Sequence, residues 1–347
     1  MNRLYNLDYL RGLAASGIMM YHYLSWTLGS FTADTLMGRI GIYGVAIFYI
    51  LSGLTLYYVY YDKMNTSYND VFLFFKKRIL RIFPLLWLVT IITIILAKEV
   101  PDIAKLFVNL SGVFGFVAWD QYFATGAWSI GNELVFYAFL PFFILFTKKF
   151  KALMIFISSL IFGLYLYFAF VVLTPDLILS EQWKDYINPL NQVFLFLGGF
   201  LIGFFFRNIE IKNSFVVIAL FLALLLFSFY PVTGNLINVV TGSNRLFFTA
   251  CCLLICICFY KLSFKFPRFI HKPLTLLGET SYSVYLLHPI LWSIVNGIIS
   301  KFFGKYIYYF PQPIKIAVSI LVTFVVSYLV YQYFEKYFMK FGRTDKK

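Results

Sequence analysis

From Leu7 to Phe338 one apolar run follows another with only short polar breaks. A helix needs about 17–25 mostly apolar residues to cross a bilayer. Its backbone polar groups must be satisfied internally once water is gone. On those criteria ten spans are expected, at about 8–28, 41–61, 79–97, 128–147, 152–173, 190–206, 213–230, 245–261, 276–299 and 314–338. The run Leu106–Ala118 is too short and is expected to be re-entrant or interfacial. Composition agrees: with 61% hydrophobic and 13% charged residues, a water-soluble fold of 347 residues would have too little polar surface to cover itself. The expected fold class is an all-α integral membrane protein of about ten transmembrane helices. No stretch reads as a soluble module, so residues 1–347 are expected to form a single membrane domain ending in a short tail, 339–347.

The net charge of +14 would suit nucleic acid if it were clustered on one face, but Lys and Arg fall in short runs between apolar segments. That distribution encodes topology, so no nucleic acid is expected. With the N-terminus in the cytoplasm, the inner side receives 21 of the 29 basic residues and the outer side 8. This bias predicts both termini inside and an even number of spans. The expected location is the bacterial cytoplasmic (inner) membrane, as a multi-pass protein. Arg11 interrupts the first apolar run, which continues beyond it, so no cleaved signal is expected. Cys251, Cys252, Cys256 and Cys258 share one apolar run without the polar CxxC setting of a zinc site, so no metal is expected. There is no internal repeat of the kind many transporters carry. Loop 174–189, with Asp176, Glu181, Trp183 and Asp185, reads either as a sugar-facing loop or as a solvated connector.

Ionisable residues inside spans are costly and mark function by default. Arg11 and His22 lie 11 residues apart. That is roughly 16 Å of helical rise with only about 20° of angular offset, so both look out from one face. Asp8 is placed to pair with Arg11 at i,i+3. A neutral imidazole in a dry site can act as a general base, although a histidine simply packed against a neighbouring helix would fit the position equally. Arg78 and Arg81 share a face near the cytoplasmic side, where they either anchor the helix or hold an anion. Glu133 lies in the fourth span, one to two turns below its outer end. Ser281, Tyr285 and His288 follow i, i+4, i+7 spacing and form a polar stripe, while Tyr282 needs only a backbone partner. These features describe a polar cavity with a basic cytoplasmic mouth, histidines at its centre and a carboxylate towards the outside. Such a cavity fits either a transporter or flippase for an anionic glycan or lipid precursor, or an enzyme working across the bilayer.

Five segments, in order, resemble the membrane acyltransferase-3 family, whose members O-acylate lipopolysaccharide, capsule and related surface glycans. Leu7-Asp8-Tyr9-Leu10-Arg11-Gly12-Leu13-Ala14-Ala15 with His22 is similar to its Arg-x10-His signature, and Gly44–Gly53 (GVAIFYILSG) to its second-helix segment. Arg78-x-x-Arg81 with Pro84 resembles its third-helix basic motif. Trp128-Ser129 with Glu133, Phe136 and Tyr137 resembles the fourth, and Ser281-Tyr282-x-x-Tyr285-Leu286-x-His288 the late one.

The resemblance implies an O-acyltransferase with Arg11 and His22 as its essential pair; the expected activity is that of an acetyl-CoA-dependent O-acetyltransferase with catalytic His22, Arg11, Glu133 and His288. It implies acyl-CoA held by Arg78 with Arg81, and Arg11 is expected to join them; a glycan or glycolipid acceptor is expected to be met by Tyr285, Ser281 and Trp128. Membrane lipid is the third expected partner, and a homo-oligomer is left open. Two departures bear on this. Leu134 stands where many relatives have a second acidic residue. The chain also ends at Lys347, about nine residues past the tenth span, without the SGNH-type domain of larger relatives. Any outer-side step is therefore expected of the membrane domain or of a separate protein.

Overall fold

The computed structural model describes residues 3–65, 67–98, 100–264, 266–304 and 311–342. Among these, all regular structure is helical. Part of the tail (343–347) and five of the basic residues counted for topology (Lys265, Lys305, Arg343, Lys346 and Lys347) lie outside the described residues.

In chain order the long helices begin with α1 (Tyr5–Leu28), α2 (Leu36–Tyr60) and α3 (Tyr68–Ala97). Two short helices follow, α4 (Ile103–Ser111) and α5 (Phe114–Val117), over the segment expected to be re-entrant or interfacial. Next come α6 (Ala127–Lys149), α7 (Lys151–Tyr167, continued by a π turn at Phe168–Val172), the short α8 (Trp183–Tyr186) and α9 (Pro189–Phe206). The chain continues through α10 (Asn213–Phe229), the short α11 (Ile237–Val240), α12 (Gly242–Lys261) and α13 (Arg268–Phe303). Finally α14 (Gln312–Leu329) passes through a π turn at Val330–Glu335 into α15 (Lys336–Phe341). A helix overlies each of the ten predicted intervals. Eight helical stretches among the described residues are long and apolar enough to cross a membrane. The other two are α1, which carries Asp8 and Arg11, and α10, at 17 residues.

Several helices run longer than the apolar pattern predicts. α3 starts at Tyr68, where Ser67 accepts from the Asp70 amide at 3.3 Å as an N-cap. The basic run before Ile79 is therefore helix, not flank, because a capped first turn does not have to be apolar. α13 is 36 residues long and contains Pro273 and Pro289. Pro289 has no N–H to give the Tyr285 carbonyl, which loosens the ladder just where His288 projects.

The bundle is centred on α1 and α2. α1 lies along both α13 and α2, and α2 lies along α9. Glycines allow these close crossings. A Cβ at Gly12 would sit 2.7 Å from the Gly278 nitrogen, and one at Gly199 would overlap the Ile50 carbonyl. α7, α10 and α14 turn residues such as Phe156, Phe221 and Leu321 outward, as an outer layer facing lipid does.

Two arginines counted as outer-loop charges are in fact buried. Arg39 donates to the carbonyls of Ala33 (2.8 Å), Phe227 (2.8 Å) and Tyr230 (2.6 Å), tying the α1–α2 loop to the end of α10. Arg245 donates to the Asn191 carbonyl at 2.9 Å and lies over the Tyr165 ring. In loop 174–189, Asp176, Glu181 and Asp185 are exposed while the Trp183 indole donates to the Tyr122 hydroxyl at 2.9 Å. Those carboxylates are exposed, which either reading of the loop allows.

Candidate active site

α1, α2, α3, α6 and α13, with Tyr331 of the last π turn and Met339 of α15, enclose a cavity of about 330 Å³ that opens at the end of the bundle bearing Arg3. Its lower wall carries four guanidinium groups, Arg3, Arg11, Arg78 and Arg81, with Asp8, Glu133 and Glu279 among them. Arg11 reaches this wall because Gly12, its neighbour, lets α1 approach the α13 backbone closely. Its Nη1 pairs with Asp8 at 3.4 Å, and its Nη2 donates to Thr55 Oγ1 at 3.1 Å. Arg3 bridges Asp8 and Glu279 at 2.7 Å each across the mouth. Glu133 accepts from Ser52 Oγ at 2.7 Å and from the Tyr137 hydroxyl. Arg78 lies over the rings of Tyr60 and Tyr137, and its buried Nε has no hydrogen-bond partner. An orphan donor of that kind lining a cavity suits an anion, because a buried unpaired N–H is costly until something accepts from it.

The sequence places Glu133 towards the outer end, whereas in the structure it shares one chamber with Arg11, Arg78 and Arg81. The same chamber receives Ser281 and Tyr285 from the late motif. Ser281 Oγ donates back to the Gly278 carbonyl, and the Tyr285 hydroxyl accepts from Ser129 Oγ at 2.8 Å. The Tyr282 hydroxyl donates to the Ile82 carbonyl at 2.8 Å, the backbone partner expected for it. Trp128 does not reach the chamber: it packs beside Trp183, Tyr186 and Tyr49.

Phe48 and Tyr285, with ring centroids 5.7 Å apart, form the chamber's upper end. His22 and His288 lie beyond it, with the His288 ring 6.1 Å from that of Tyr285. His22 Nδ1 and His288 Nε2 are 2.8 Å apart with the two rings nearly parallel. His22 is half-buried and His288 is buried. Trp26 stacks on the His22 ring at 5.0 Å.

Hydrogen-bond logic fixes the protons of this pair. His288 Nδ1 is 3.1 Å from the Val284 carbonyl, which can only accept, so Nδ1 carries a proton. With His288 neutral, its Nε2 is an acceptor and His22 Nδ1 must donate. The remaining nitrogen, His22 Nε2, is then left with a free lone pair, which is the form a general base needs.

Sequence reasoning did not single out Arg3, Ser52, Thr55, Glu279 and Glu335. Ser52 and Thr55 sit at i,i+3 on one face of α2, a signal hidden by the apolar residues around them. Glu335 is buried in the last π turn, where its Oε1 accepts from Ser283 Oγ and its Oε2 has no partner. A carboxylate inside the tenth apolar run was itself a legible signal.

No curated protein and no solved structure matches the chain. The acyltransferase-3 family model, described as an acyltransferase domain, matches residues 4–332. That span takes in α1, with its Arg11–His22 face, Arg78 and Arg81 of the chamber, and the histidine pair. The chain belongs to this acyltransferase family, as a multi-pass membrane protein.

Proposed function

We propose that the protein transfers an acetyl group, or a related short acyl group, from acyl-CoA to a hydroxyl of a cell-surface glycan. The observation that carries this reading is the His22–His288 pair directly above a chamber whose base is lined with arginine. Acyl-CoA combines a polyanionic end with a long neutral arm, and the chamber combines a cationic mouth with an upper end formed by the Phe48 and Tyr285 rings. The orphan Arg78 Nε, with Arg11 and Arg81 beside it, fits the phosphate end. The group supplies an acyl thioester. Everything else is the work of the protein's own residues.

Arg11, Arg78 and Arg81 hold the charged end at the mouth. His22 Nε2 takes the proton of an acceptor hydroxyl as the alcohol oxygen bonds to the acyl carbon. As the C–S bond breaks, His22 returns that proton to the departing sulfur, leaving an ester and a free thiol. His288 accepts from His22 Nδ1 throughout, holding the ring in its tautomer and supporting the charge His22 carries between the two transfers. His288 is thus a positioning residue. Glu133, held by Ser52 and Tyr137, offsets the positive charge of the mouth and orders Tyr137 under Arg78. The expected orientation puts the mouth on the cytoplasmic side, with the acceptor approaching from the other.

The test is transfer of label from [14C]acetyl-CoA to surface polysaccharide by membranes containing the protein. Label on glycan supports the reading. Uptake of glycan or lipid without acetylation would replace it with transport.

Arg78→Met keeps the stem and removes the charge-assisted bonds, so KM for acetyl-CoA is expected to rise about tenfold, with a smaller change in kcat. Initial-rate kinetics over a donor titration read this directly. His288→Leu removes the acceptor for His22 Nδ1, and kcat is expected to fall on the order of 100-fold. His288→Gln, whose side-chain carbonyl can still accept, is expected to recover part of that loss. Equal losses in both variants would show that His288 serves packing alone.

A further inference from the structure

A second cavity, of about 450 Å³, opens beside the chamber, and Arg3 lines both. It is built where the start of α1, the end of α12 and the start of α13 meet. Its volume lies within the range usual for small-molecule sites. Its walls are aromatic: Tyr5, Tyr9, Tyr260, Phe266 and His271 line it with Arg3. The rings are held in place by one another. The Tyr5 and His271 rings meet edge-on at 4.9 Å, as do Tyr9 and Phe266 at 5.7 Å. The Tyr9 hydroxyl is hydrogen-bonded to His271 Nδ1 at 2.5 Å. The Arg3 guanidinium lies 5.2 Å from the centre of the Tyr5 ring while it bridges Asp8 and Glu279. It therefore joins the aromatic cleft to the cationic chamber.

Aromatic residues at a membrane interface commonly only anchor helices there. A cleft that shares an arginine with a chamber lined by three further arginines has a more specific use. Flat heteroaromatic rings stack on tyrosine and histidine faces, and arginine pairs with phosphate at the edge of such a stack.

We infer that this cleft is the subsite for the purine nucleotide end of the donor. The adenine ring stacks among Tyr5, Tyr260 and His271, and Arg3 takes a phosphate at the junction. The inference rests on the acyl-CoA reading given above. It adds to it that the donor bends at Arg3, with its nucleotide lying sideways under α12 and α13 and its thioester arm rising into the chamber.

The test uses the purified full chain in lipid nanodiscs and two donors, acetyl-CoA and acetyl-4′-phosphopantetheine, which lacks the nucleotide. Tyr5→Leu, and Tyr260→Leu away from Arg3, are each expected to lower the ratio of kcat/KM for acetyl-CoA to that for the truncated donor by about tenfold. Tyr5→Phe keeps the ring and is expected to restore the ratio. Adenosine 3′,5′-bisphosphate is expected to compete with acetyl-CoA in the wild type and to compete more weakly in both leucine variants. An unchanged ratio in both leucine variants, or no competition in a wild type that uses acetyl-CoA, overturns the subsite alone. A wild type that uses neither donor overturns the acyl-CoA reading and the subsite with it.

Discussion

His22→Ala is expected to lower kcat for acyl transfer by about 10²–10⁴-fold, the usual worth of a positioned general base. The expectation follows from proton placement. The Val284 carbonyl fixes His288 as acceptor at Nε2, which commits His22 Nδ1 as donor and leaves only His22 Nε2 to do chemistry. Alanine removes that nitrogen and leaves His288 Nε2 without its partner. The fold is expected to lose only the cost of one unpaired buried acceptor, about 1–3 kcal/mol. Transfer of labelled acetyl by the purified variant, together with its melting temperature in detergent, separates the two effects. A wild-type rate in a folded variant would take His22 out of the chemistry.

The second large effect is structural. Gly199→Val is expected to leave little folded protein, because its side chain would overlap the Ile50 carbonyl of α2. Gly53 makes the reciprocal approach to the Phe196 carbonyl of α9. Backbone meets backbone on both sides, so no rotamer change relieves the clash and the two helices must separate. Overpacking costs about 1–3 kcal/mol even where side chains can shift, and this crossing offers no such relief. Because α2 carries Ser52 and Thr55 into the chamber, separation also misplaces Glu133 and Arg11. Gly163→Ala on the outer α7 is the control. Nothing lies within 4 Å of its added Cβ, and a helical Gly→Ala change is worth roughly 0.5–1 kcal/mol of stability. Size-exclusion profiles and melting temperatures of the two variants are expected to diverge accordingly.

Much of this was legible in the sequence because membrane helices announce themselves by length and apolarity. Arg11 and His22 could be placed on one face of α1 from their spacing alone, and the i,i+3 pairing of Asp8 with Arg11 is present at 3.4 Å. Spacing within one helix says nothing of what a neighbouring helix brings. His288 was a stripe residue on α13, and its bond to His22 across 266 positions depends on how α1 and α13 cross, which Gly12 and Gly278 set. Glu133 shows the same limit: its depth in α6 was readable, but its union with Ser52 of α2 was not. Arg39 and Arg245 show the reverse, since loop-end charges that look solvated are folded inward onto carbonyls and a ring. Trp128 belongs to a motif segment and still packs away from the chamber, because its face of α6 meets the segment around Trp183.

Sidedness is the most direct test of the proposed chemistry. The purified protein is placed in vesicles with labelled acetyl-CoA on the side bearing Arg3, Arg11, Arg78 and Arg81, and glycan acceptor on the opposite side. Label is expected on the acceptor, absent with His22→Ala, and absent when donor is supplied only on the acceptor's side. Label that appears with donor and acceptor on the acceptor's side alone, or that persists in His22→Ala, would contradict transfer through the chamber and the histidine pair.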